Sequence, residues 1–260
     1  MNKTYEEDPH EAKVARDALE RYSGSSPDEF CDFVLLTNFS NYVIEFSKIS
    51  GQPLKQGGVM LCCHWPEKNM SILDFKVGSP AAALVIDLLS FTKPRACLML
   101  GMCGGLRRKY KIGDYLLPVA AIRGEGTSDF YFPPEVPALS NFIIQKALSD
   151  ILDRKKRTYH IGIVHSTNIR FWEFSDEFRQ TLICNRVQGI EMECATLFSA
   201  GYKRHVYVGA LLLISDLPLN KDGIKTKEIS EKIKPMTRSH VLDGIEAMKY
   251  LQSEDIHQKD

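Results

Sequence analysis

Short apolar runs that alternate with helical segments are the feature that most constrains the fold of this chain. The longest of them, at 206–214, reads VYVGALLLI and carries no charged side chain. Runs that are apolar throughout are typical of strands buried on both faces of a parallel sheet. The pattern therefore predicts an α/β protein with a mixed, mostly parallel central sheet flanked by helices.

The same pattern predicts where the elements begin and end. Strands are expected at 33–36, 59–63, 72–77, 96–100, 115–122, 160–165, 189–192 and 206–214. Helices are expected at 41–49, 79–89, 138–152, 176–184, 193–202 and 236–251. Ser79 is the expected N-cap of the second helix, and Pro80 suits its first turn.

The first 30 residues differ from the rest in being rich in acidic side chains. They carry a weak helical stripe, which predicts a surface helix that ends before a Ser/Gly/Pro break at 23–27. No repeat or linker divides the remaining chain. We therefore predict an N-terminal helical extension at 1–30 and a single catalytic domain at 31–260.

Composition and charge exclude several classes of function. The 33 basic and 33 acidic side chains cancel, whereas proteins that bind nucleic acid or a membrane surface usually carry a basic excess. The seven cysteines form no C-x-x-C pair, and the chain starts without the apolar run of a signal peptide. We expect a cytoplasmic protein that has no metal, no cofactor and no nucleic-acid or membrane partner.

A glycine-rich segment, GMCGGLRRKYKIGD at 101–114, follows the strand expected at 96–100. Ligands of open α/β sheets bind at the carboxyl ends of the strands. Gly101 and the glycines after it would allow backbone N–H groups to approach a ligand closely. A tight turn explains these glycines equally well.

Two further strand ends carry carboxylates. In GIEMECATLF at 189–198, Glu191 and Glu193 lie at a strand-to-helix junction, where a carboxylate can accept hydrogen bonds from sugar hydroxyls. Stabilisation of the helix start through its dipole explains both residues without a ligand, and the sequence alone favours it.

The strand at 206–214 ends abruptly in Ser215 and Asp216. A carboxyl at the mouth of a buried strand is partly desolvated, which raises its pKa towards the range of a proton donor. A turn cap explains the same two residues as well.

These motifs, with RGEGTSDFYFPPEVPAL at 123–139 between them, resemble the nucleoside phosphorylase and nucleosidase superfamily of the hexameric purine and uridine phosphorylase type. More closely, the chain resembles the short form of AMP nucleosidase, and the resemblance runs from about residue 33 to residue 251. Its most telling segments are FKVGSPAAALVIDLL, GMCGGLRRKYKIGD, RGEGTS, STNIRFWE, GIEMECATLF and LLLISDLPL. The resemblance implies a nucleoside phosphorylase-like fold, a small-molecule nucleotide substrate and a homo-oligomer, specifically a hexamer.

The resemblance also implies roles for individual residues. Glu193 would accept hydrogen bonds from the ribose 2′ and 3′ hydroxyls, and Met192 would pack on the sugar. Asp216 would protonate purine N7, so that the base leaves neutral. Gly101 and Ser215 are expected to contact the substrate as well.

Two departures from the phosphorylase pattern concern the nucleophile. Phosphorylases of this superfamily bind phosphate with a Gly-Asp-Pro loop after the first strand and an Arg just before the glycine motif. Here the loop reads TNFSNY at 37–42, and Met99 stands at the Arg position. The resemblance therefore implies hydrolysis of AMP to adenine and ribose 5-phosphate. TNFSNY contains no acid, so the group that orients water stays unassigned.

A nucleotide substrate requires cations for its 5′-phosphate. Arg170 and Arg123 are the candidates, and Thr127 and Ser128 would add hydroxyl donors. A structural ion pair is the alternative for either arginine. Trp172 or Phe171 would stack on the adenine, although aromatic side chains at such positions are as often part of the core.

Two other functions remain open at this point. A purine nucleoside phosphorylase or nucleosidase that acts on an uncharged nucleoside would keep Glu193 and Asp216 but need no phosphate-binding cation. A catalytically silent nucleotide-binding regulator on the same fold ranks lower, because both proposed catalytic carboxylates are present.

Overall fold

The computed structural model of the protein describes residues 8–220 and 222–253. Across these residues, ten strands form one sheet and eight α-helices pack around it. The strands are β1 (Phe33–Thr37), β2 (Leu54–Gln56), β3 (Leu61–Trp65), β4 (Met70–Asp74), β5 (Ala96–Gly105), β6 (Tyr115–Gly124), β7 (Ala138–Leu139), β8 (Tyr159–Thr167), β9 (Gly189–Glu191) and β10 (Val208–Asp216). The helices are α1 (Pro9–Ser23), α2 (Ser40–Ser50), α3 (Ser79–Ser90), α4 (Phe142–Arg154), α5 (Asp176–Cys184), α6 (Cys194–Lys203), α7 (Lys227–Ile233) and α8 (Thr237–Ser253).

The sheet closes on itself at one end and stays open at the other. Strands pair in the order β10-β6-β8-β9-β5-β1-β4-β3-β2, and β10 also pairs with β5, so five strands form a closed ring. The two longest ladders, β5–β10 and β6–β8, are parallel, whereas β3–β4 and β6–β10 are antiparallel. This confirms the α/β class and the mixed, mostly parallel sheet flanked by helices.

The central strand β10 shows why apolar runs predict this sheet well. All nine of its residues are buried, because β5 and β6 flank it and helices α4 and α6 cover it. A strand covered on both faces must be apolar along its whole length. Because Asp216 is the last residue of this buried strand, it lies at the edge of the apolar core, where little water reaches it.

Several predicted boundaries differ from the observed ones; β3 begins at Leu61, for example, and β5 continues to Gly105. Two of the differences have local causes. The helix predicted at 138–152 begins only at Phe142, because Asn141 caps it by accepting from the N–H groups of Ile143 and Ile144, while Ala138–Leu139 pairs with β6. Ser79 is not the N-cap of α3. Gly78 takes that position with a φ of 101°, a conformation that favours glycine.

Helix α1 confirms the surface helix predicted before residue 23. Asp8 caps its start by accepting from the N–H of His10 at 2.8 Å, and it ends at Gly24 in the left-handed region. Its buried face, centred on Leu19, packs on the same core as α3. Residues 1–7 of the predicted extension and 254–260 of the predicted catalytic domain lie outside the described residues.

None of the helices in the described part of the chain combines the length and the apolar character needed to cross a membrane.

Candidate functional site

One cavity of about 230 Å³ collects the polar residues that follow several strands. Its wall takes residues from the carboxyl ends of β1, β5, β8, β9 and β10, and from the loop after β4. Because these ends lie next to one another in the sheet, side chains far apart in sequence meet there. Six of the predicted site residues line this cavity: Glu193, Asp216, Met192, Arg170, Trp172 and Ser215.

Glu191 accepts hydrogen bonds from backbone N–H groups at the start of helix α6. Its Oε2 accepts from the backbone N–H groups of Glu193 and Cys194, both at 2.7 Å, and its Oε1 accepts from the Ser166 hydroxyl. These bonds satisfy amide groups that a helix start leaves unpaired. Stabilisation of the helix start, the explanation that the sequence alone favoured, therefore holds for Glu191. The residue also borders the cavity.

Glu193 is placed differently from Glu191, two residues earlier. Its Oε1 accepts from the N–H of Gly78 at 2.8 Å, and the Ser79 hydroxyl donates to the Met192 carbonyl at 2.6 Å. These two bonds fasten the segment to the start of α3. The Glu193 carboxyl group is buried in the cavity wall, where it can meet a ligand.

The pKa of the Glu193 carboxyl is raised. Burial is the largest cause, and the neighbouring charge of Glu191 adds to it. Hydrogen bonds from Gly78 and from the amide of Asn38 act in the opposite direction without cancelling the effect. Burial likewise raises the pKa of Glu191. The cavity thus holds two adjacent carboxyl groups whose charged forms are unfavourable.

Asp216 lines the same cavity at the end of β10. Burial raises the pKa of its carboxyl, and the charge of Glu173 adds to this, whereas the Ser215 hydroxyl and Lys225 lower it. Ser215 donates to Asp216 Oδ1 at 2.5 Å. An aspartic acid with a raised pKa, open to a cavity, is suited to donate a proton.

Two cationic side chains reach this cavity among the described lining residues, Arg170 and Lys225. Arg170 Nη1 donates to Glu173 Oε1 at 2.9 Å, while 52% of the Arg170 side chain remains exposed. Lys225 Nζ lies 3.4 Å from Met102 Sδ and 5.8 Å from the Phe39 ring centroid. Burial and the charge of Arg170 lower the pKa of Lys225.

Sequence reasoning missed Lys225, Glu173 and Asn38, all of which line the cavity. Lys225 stands in a polar loop nine residues after Asp216, where nothing marks one lysine over its neighbours. Glu173 belongs to the telling segment STNIRFWE but had no assigned task. Asn38 lies in the first loop, whose sequence indicated only that the Gly-Asp-Pro motif and an acidic residue are absent there.

Of the two aromatic candidates, one lines the cavity and the other lies on the protein surface. Trp172 is buried, lines the cavity, and packs 6.0 Å from the ring of Phe178 in a small cluster with Leu182 and Ile190. It is therefore both a core residue and a wall residue. Phe171 is exposed and does not line the cavity.

Arg123 and Thr127 lie outside the cavity wall. The guanidinium of Arg123 donates to Ser128 Oγ at 2.9 Å, to Asp129 Oδ1 at 2.8 Å, and to carbonyls of residues 132, 133 and 136. These bonds fold the segment after β6 around the arginine. In this subunit Arg123 therefore has the structural role that was the alternative to phosphate binding. Its guanidinium nitrogens donate to the segment after β6 and not into the cavity.

Gly101 also lies outside the wall, because the glycine segment continues β5 instead of forming a loop. A Cβ at Gly101 would come within 2.7 Å of Met99 Cε and 3.1 Å of Leu212 Cδ2. The glycine thus makes room for core packing. Gly104, three residues on, does line the cavity. The glycine-rich segment predicted at 101–114 thus begins as the end of β5 and not as a turn, and this strand supplies wall residues from Met102 to Gly104.

A family model described as the phosphorylase superfamily matches residues 26–238. This chain belongs to the phosphorylase superfamily. The match confirms the family resemblance drawn from the sequence motifs. It includes every strand of the sheet and all six predicted residues that line the cavity.

Individual phosphorylase superfamily members extend the comparison. AMP nucleosidase of Escherichia coli K12 is 29% identical over 91% of this chain, and the chain spans 58% of that relative's length. Uridine phosphorylase of Treponema pallidum is 26% identical over 73% of this chain and 76% of its own. The solved structure of AMP nucleosidase from Bacteroides thetaiotaomicron VPI-5482 superposes with a TM-score of 0.84 at 34% identity, covering 95% of this chain and all of that one.

Proposed function

We propose that this chain is an N-glycosidase that hydrolyses AMP to adenine and ribose 5-phosphate. The observation that carries the proposal is the placement of Glu193 and Asp216 in the wall of one cavity, each with a raised pKa. The similarity to AMP nucleosidases of two organisms supports a nucleotide as the substrate. Within this proposal, residues 31–260 are the catalytic domain and α1 is an extension packed on its core.

Each carboxyl group has a distinct task in this reaction. Glu193 accepts hydrogen bonds from the ribose 2′ and 3′ hydroxyls while Met192 packs beside the sugar. Asp216 donates its proton to purine N7 as the C1′–N9 bond breaks, so the bonding electrons leave with a neutral base. Water then adds to C1′ and releases a proton to solvent, and Asp216 is reprotonated from solvent.

Water is the proposed nucleophile because the phosphate-binding positions of the resemblance are filled by uncharged residues. Met99 is 1% exposed and packs in the core, so its position offers no cation to the cavity. The loop after β1 presents Asn38 and Phe39 to the cavity instead of a Gly-Asp-Pro motif. Inorganic phosphate would therefore find neither of its expected contacts.

Asn38 is the group that we propose orients the water. Its Oδ1 is buried and has no hydrogen-bond partner within the described part of the chain, while its amide acts on Glu193. A buried acceptor without a partner is costly, so a water that donates to it is favoured.

Replacing Asn38 with alanine should lower kcat on AMP about tenfold and leave KM within about threefold, because one hydrogen bond to the water is lost. Steady-state kinetics checks this, with Asn185→Ala on the exposed end of α5 as the control. A kcat equal to that of the control would exclude Asn38 from positioning water.

The 5′-phosphate is the group that distinguishes AMP from adenosine. Arg170 is the proposed ligand because its guanidinium lies in the cavity wall and remains half exposed towards solvent. Arg170→Ala should raise KM for AMP about 10- to 100-fold, the loss expected for a charge-assisted hydrogen bond. The kcat/KM for adenosine, which has no phosphate, should fall by a smaller factor.

The control for this comparison is Arg179→Ala, an arginine on α5 outside the cavity wall. Equal losses on AMP and adenosine would show that Arg170 does not bind the phosphate. Lys225→Met, measured on the same two substrates, tests the second cation of the cavity in the same way.

We also propose that the chain assembles as a homo-oligomer, a hexamer, in the cytoplasm. Large aromatic side chains are exposed on the single subunit, namely Phe130, Phe142, Phe171 and Phe174. Exposed aromatic surface of this kind is typical of contact sites between proteins.

The alternative is a phosphorylase or nucleosidase that acts on an uncharged nucleoside, and the uridine phosphorylase relatives favour it. Measuring kcat/KM for AMP, adenosine and inosine separates the two functions. The proposal expects AMP to be the best substrate. Preference for a nucleoside by tenfold or more would support the alternative, and no turnover of any of the three would favour a silent binding protein.

A further inference from the structure

Glu173 is a buried carboxylate in the cavity wall with no task in the proposed reaction. It lies in the 3₁₀ turn Trp172–Phe174, shortly after β8, and is 5% exposed. Its Oε1 accepts from Arg170 Nη1 at 2.9 Å. Its Oε2 is buried and has no hydrogen-bond partner among residues 8–220 and 222–253.

The unpaired oxygen indicates a donor that a ligand supplies. Burying a carboxylate oxygen without a partner costs free energy, and such groups are rare in folded proteins unless they serve a ligand. Because Glu173 lines the cavity, a bound molecule can reach it. Arg170 balances the charge of Glu173, and the second oxygen stays available.

The position of Glu173 relative to Asp216 identifies which part of a nucleotide it meets. Both residues line the same cavity, and the charge of Glu173 adds to the main effect of burial in raising the pKa of the Asp216 carboxyl. Trp172, the neighbour of Glu173 in the same turn, and Ile190 also line the cavity and belong to one hydrophobic cluster, which provides the apolar surface that a base requires. Glu173 therefore belongs to the base-binding end of the site.

The edge of a purine that carries N7 also carries the substituent at C6. In adenine this edge presents an acceptor at N7 and an amino donor at C6, whereas 6-oxopurines present an acceptor at both positions. With Asp216 at N7, a neighbouring carboxylate faces the C6 substituent. An amino group pairs with that carboxylate, and a carbonyl oxygen opposes it.

We infer that Glu173 selects 6-aminopurines over 6-oxopurines by accepting a hydrogen bond from the exocyclic amino group at its Oε2. This specificity role rests on the proposed function, since it takes AMP as the substrate and Asp216 as the group at N7. It assigns Arg170 a second task, which is to hold Glu173 in place.

The test is the ratio of kcat/KM for AMP to kcat/KM for IMP in the wild type and in Glu173→Gln. Glutamine has the same shape and can turn its NH₂ group towards a carbonyl oxygen. We expect the ratio to fall about 100-fold, because AMP loses a charged acceptor and IMP gains a donor. Glu177→Gln, the same change at an exposed position four residues later, should leave the ratio unchanged.

Three outcomes decide the inference. A ratio that stays within threefold of the wild type overturns it. Equal losses of kcat/KM for AMP and IMP also overturn it. They would mean that Glu173 acts through Arg170 on the binding of the phosphate, which both substrates carry. A fall in the ratio of tenfold or more, with the melting temperature unchanged, supports it.

A binding measurement separates this inference from the proposed function. If the wild type releases no adenine from AMP, the proposed function fails. Calorimetry with free adenine and hypoxanthine then still decides the role of Glu173, since base binding needs no turnover. Wild-type preference for adenine that Glu173→Gln removes supports the role, and equal binding of both bases by the wild type overturns it.

Discussion

Replacing Asp216 with asparagine is expected to lower kcat on AMP by about 10²–10⁴, the range that general acid catalysis supplies. Asparagine has the same size and can still accept from the Ser215 hydroxyl, but it holds no proton that it can transfer to N7. Adenine would then leave as an anion. The variant should stay folded and bind AMP nearly as well as the wild type, so the loss should fall on kcat.

Kinetics on AMP together with thermal unfolding checks this prediction. Asp176→Asn is the control, because that side chain is 99% exposed on α5. The pH profile gives a second test. Burial raises the pKa of Asp216, so the wild-type kcat should fall as the pH rises through that raised pKa. If Asp216→Asn retains more than a tenth of the wild-type kcat, Asp216 is not the acid.

Replacing Glu193 with glutamine is expected to reduce kcat/KM for AMP about 100-fold and, at the same time, to stabilise the fold. The loss of activity arises because glutamine has a single acceptor oxygen, which the N–H of Gly78 already uses, so no oxygen remains free for the ribose hydroxyls. The gain in stability arises because burial and Glu191 make the charged form of Glu193 unfavourable. Glutamine keeps an oxygen for the N–H of Gly78 without carrying that charge.

The stabilising effect should depend on pH. The folded pKa of Glu193 lies above its unfolded value, so the native state binds the proton more tightly and the carboxylate costs stability as the pH rises above the ordinary value of about 4.3. The melting temperature of Glu193→Gln should therefore exceed that of the wild type at neutral pH. A gain of about 1 kcal/mol corresponds to roughly 2–4 °C at this chain length.

Melting curves at pH 4 and pH 8 for the wild type, Glu193→Gln and the exposed control Glu177→Gln measure this difference. The advantage should be present at pH 8 and shrink towards pH 4. A melting temperature at pH 8 that is lower than that of the wild type would contradict the account, because it would mean that the native state favours the Glu193 carboxylate.

The architecture was predictable because its signals are local. Strands such as β10 are buried on both faces, so their sequences must be apolar without interruption, and helices such as α5 show the 3.6-residue period with a Ser cap. The strand ends that bear Glu193 and Asp216 follow from the same runs. Short elements at the edges, β2, β7 and α7, lack such signals and were missed.

Residues of the site could be predicted from sequence only where a single segment contains the reactive side chains. Which of Glu191 and Glu193 is committed to the start of α6 depends on bonds from Ser166 to Glu191 and from Gly78 to Glu193, and Gly78 lies 115 residues from Glu193 in sequence. The same holds for Arg123, whose partners after β6 become visible only once the segment is folded. Pairs formed by tertiary packing leave no periodic pattern in the sequence.

Glu173 illustrates the remaining limit. Its segment was recognised, yet a glutamate beside a tryptophan in sequence has no preferred environment. Its importance comes from a buried oxygen that has no partner among the described residues and from its place in the same cavity as Asp216. Both are properties of the assembled cavity.

The most direct test of the central claim is to incubate the purified protein with AMP in the presence and absence of inorganic phosphate and to identify the sugar product by chromatography. We expect adenine and ribose 5-phosphate at the same rate in both samples, because water is the nucleophile. Release of adenine only when phosphate is added, with a sugar phosphorylated at C1, would show that phosphate is the nucleophile and that the chain is not a nucleosidase.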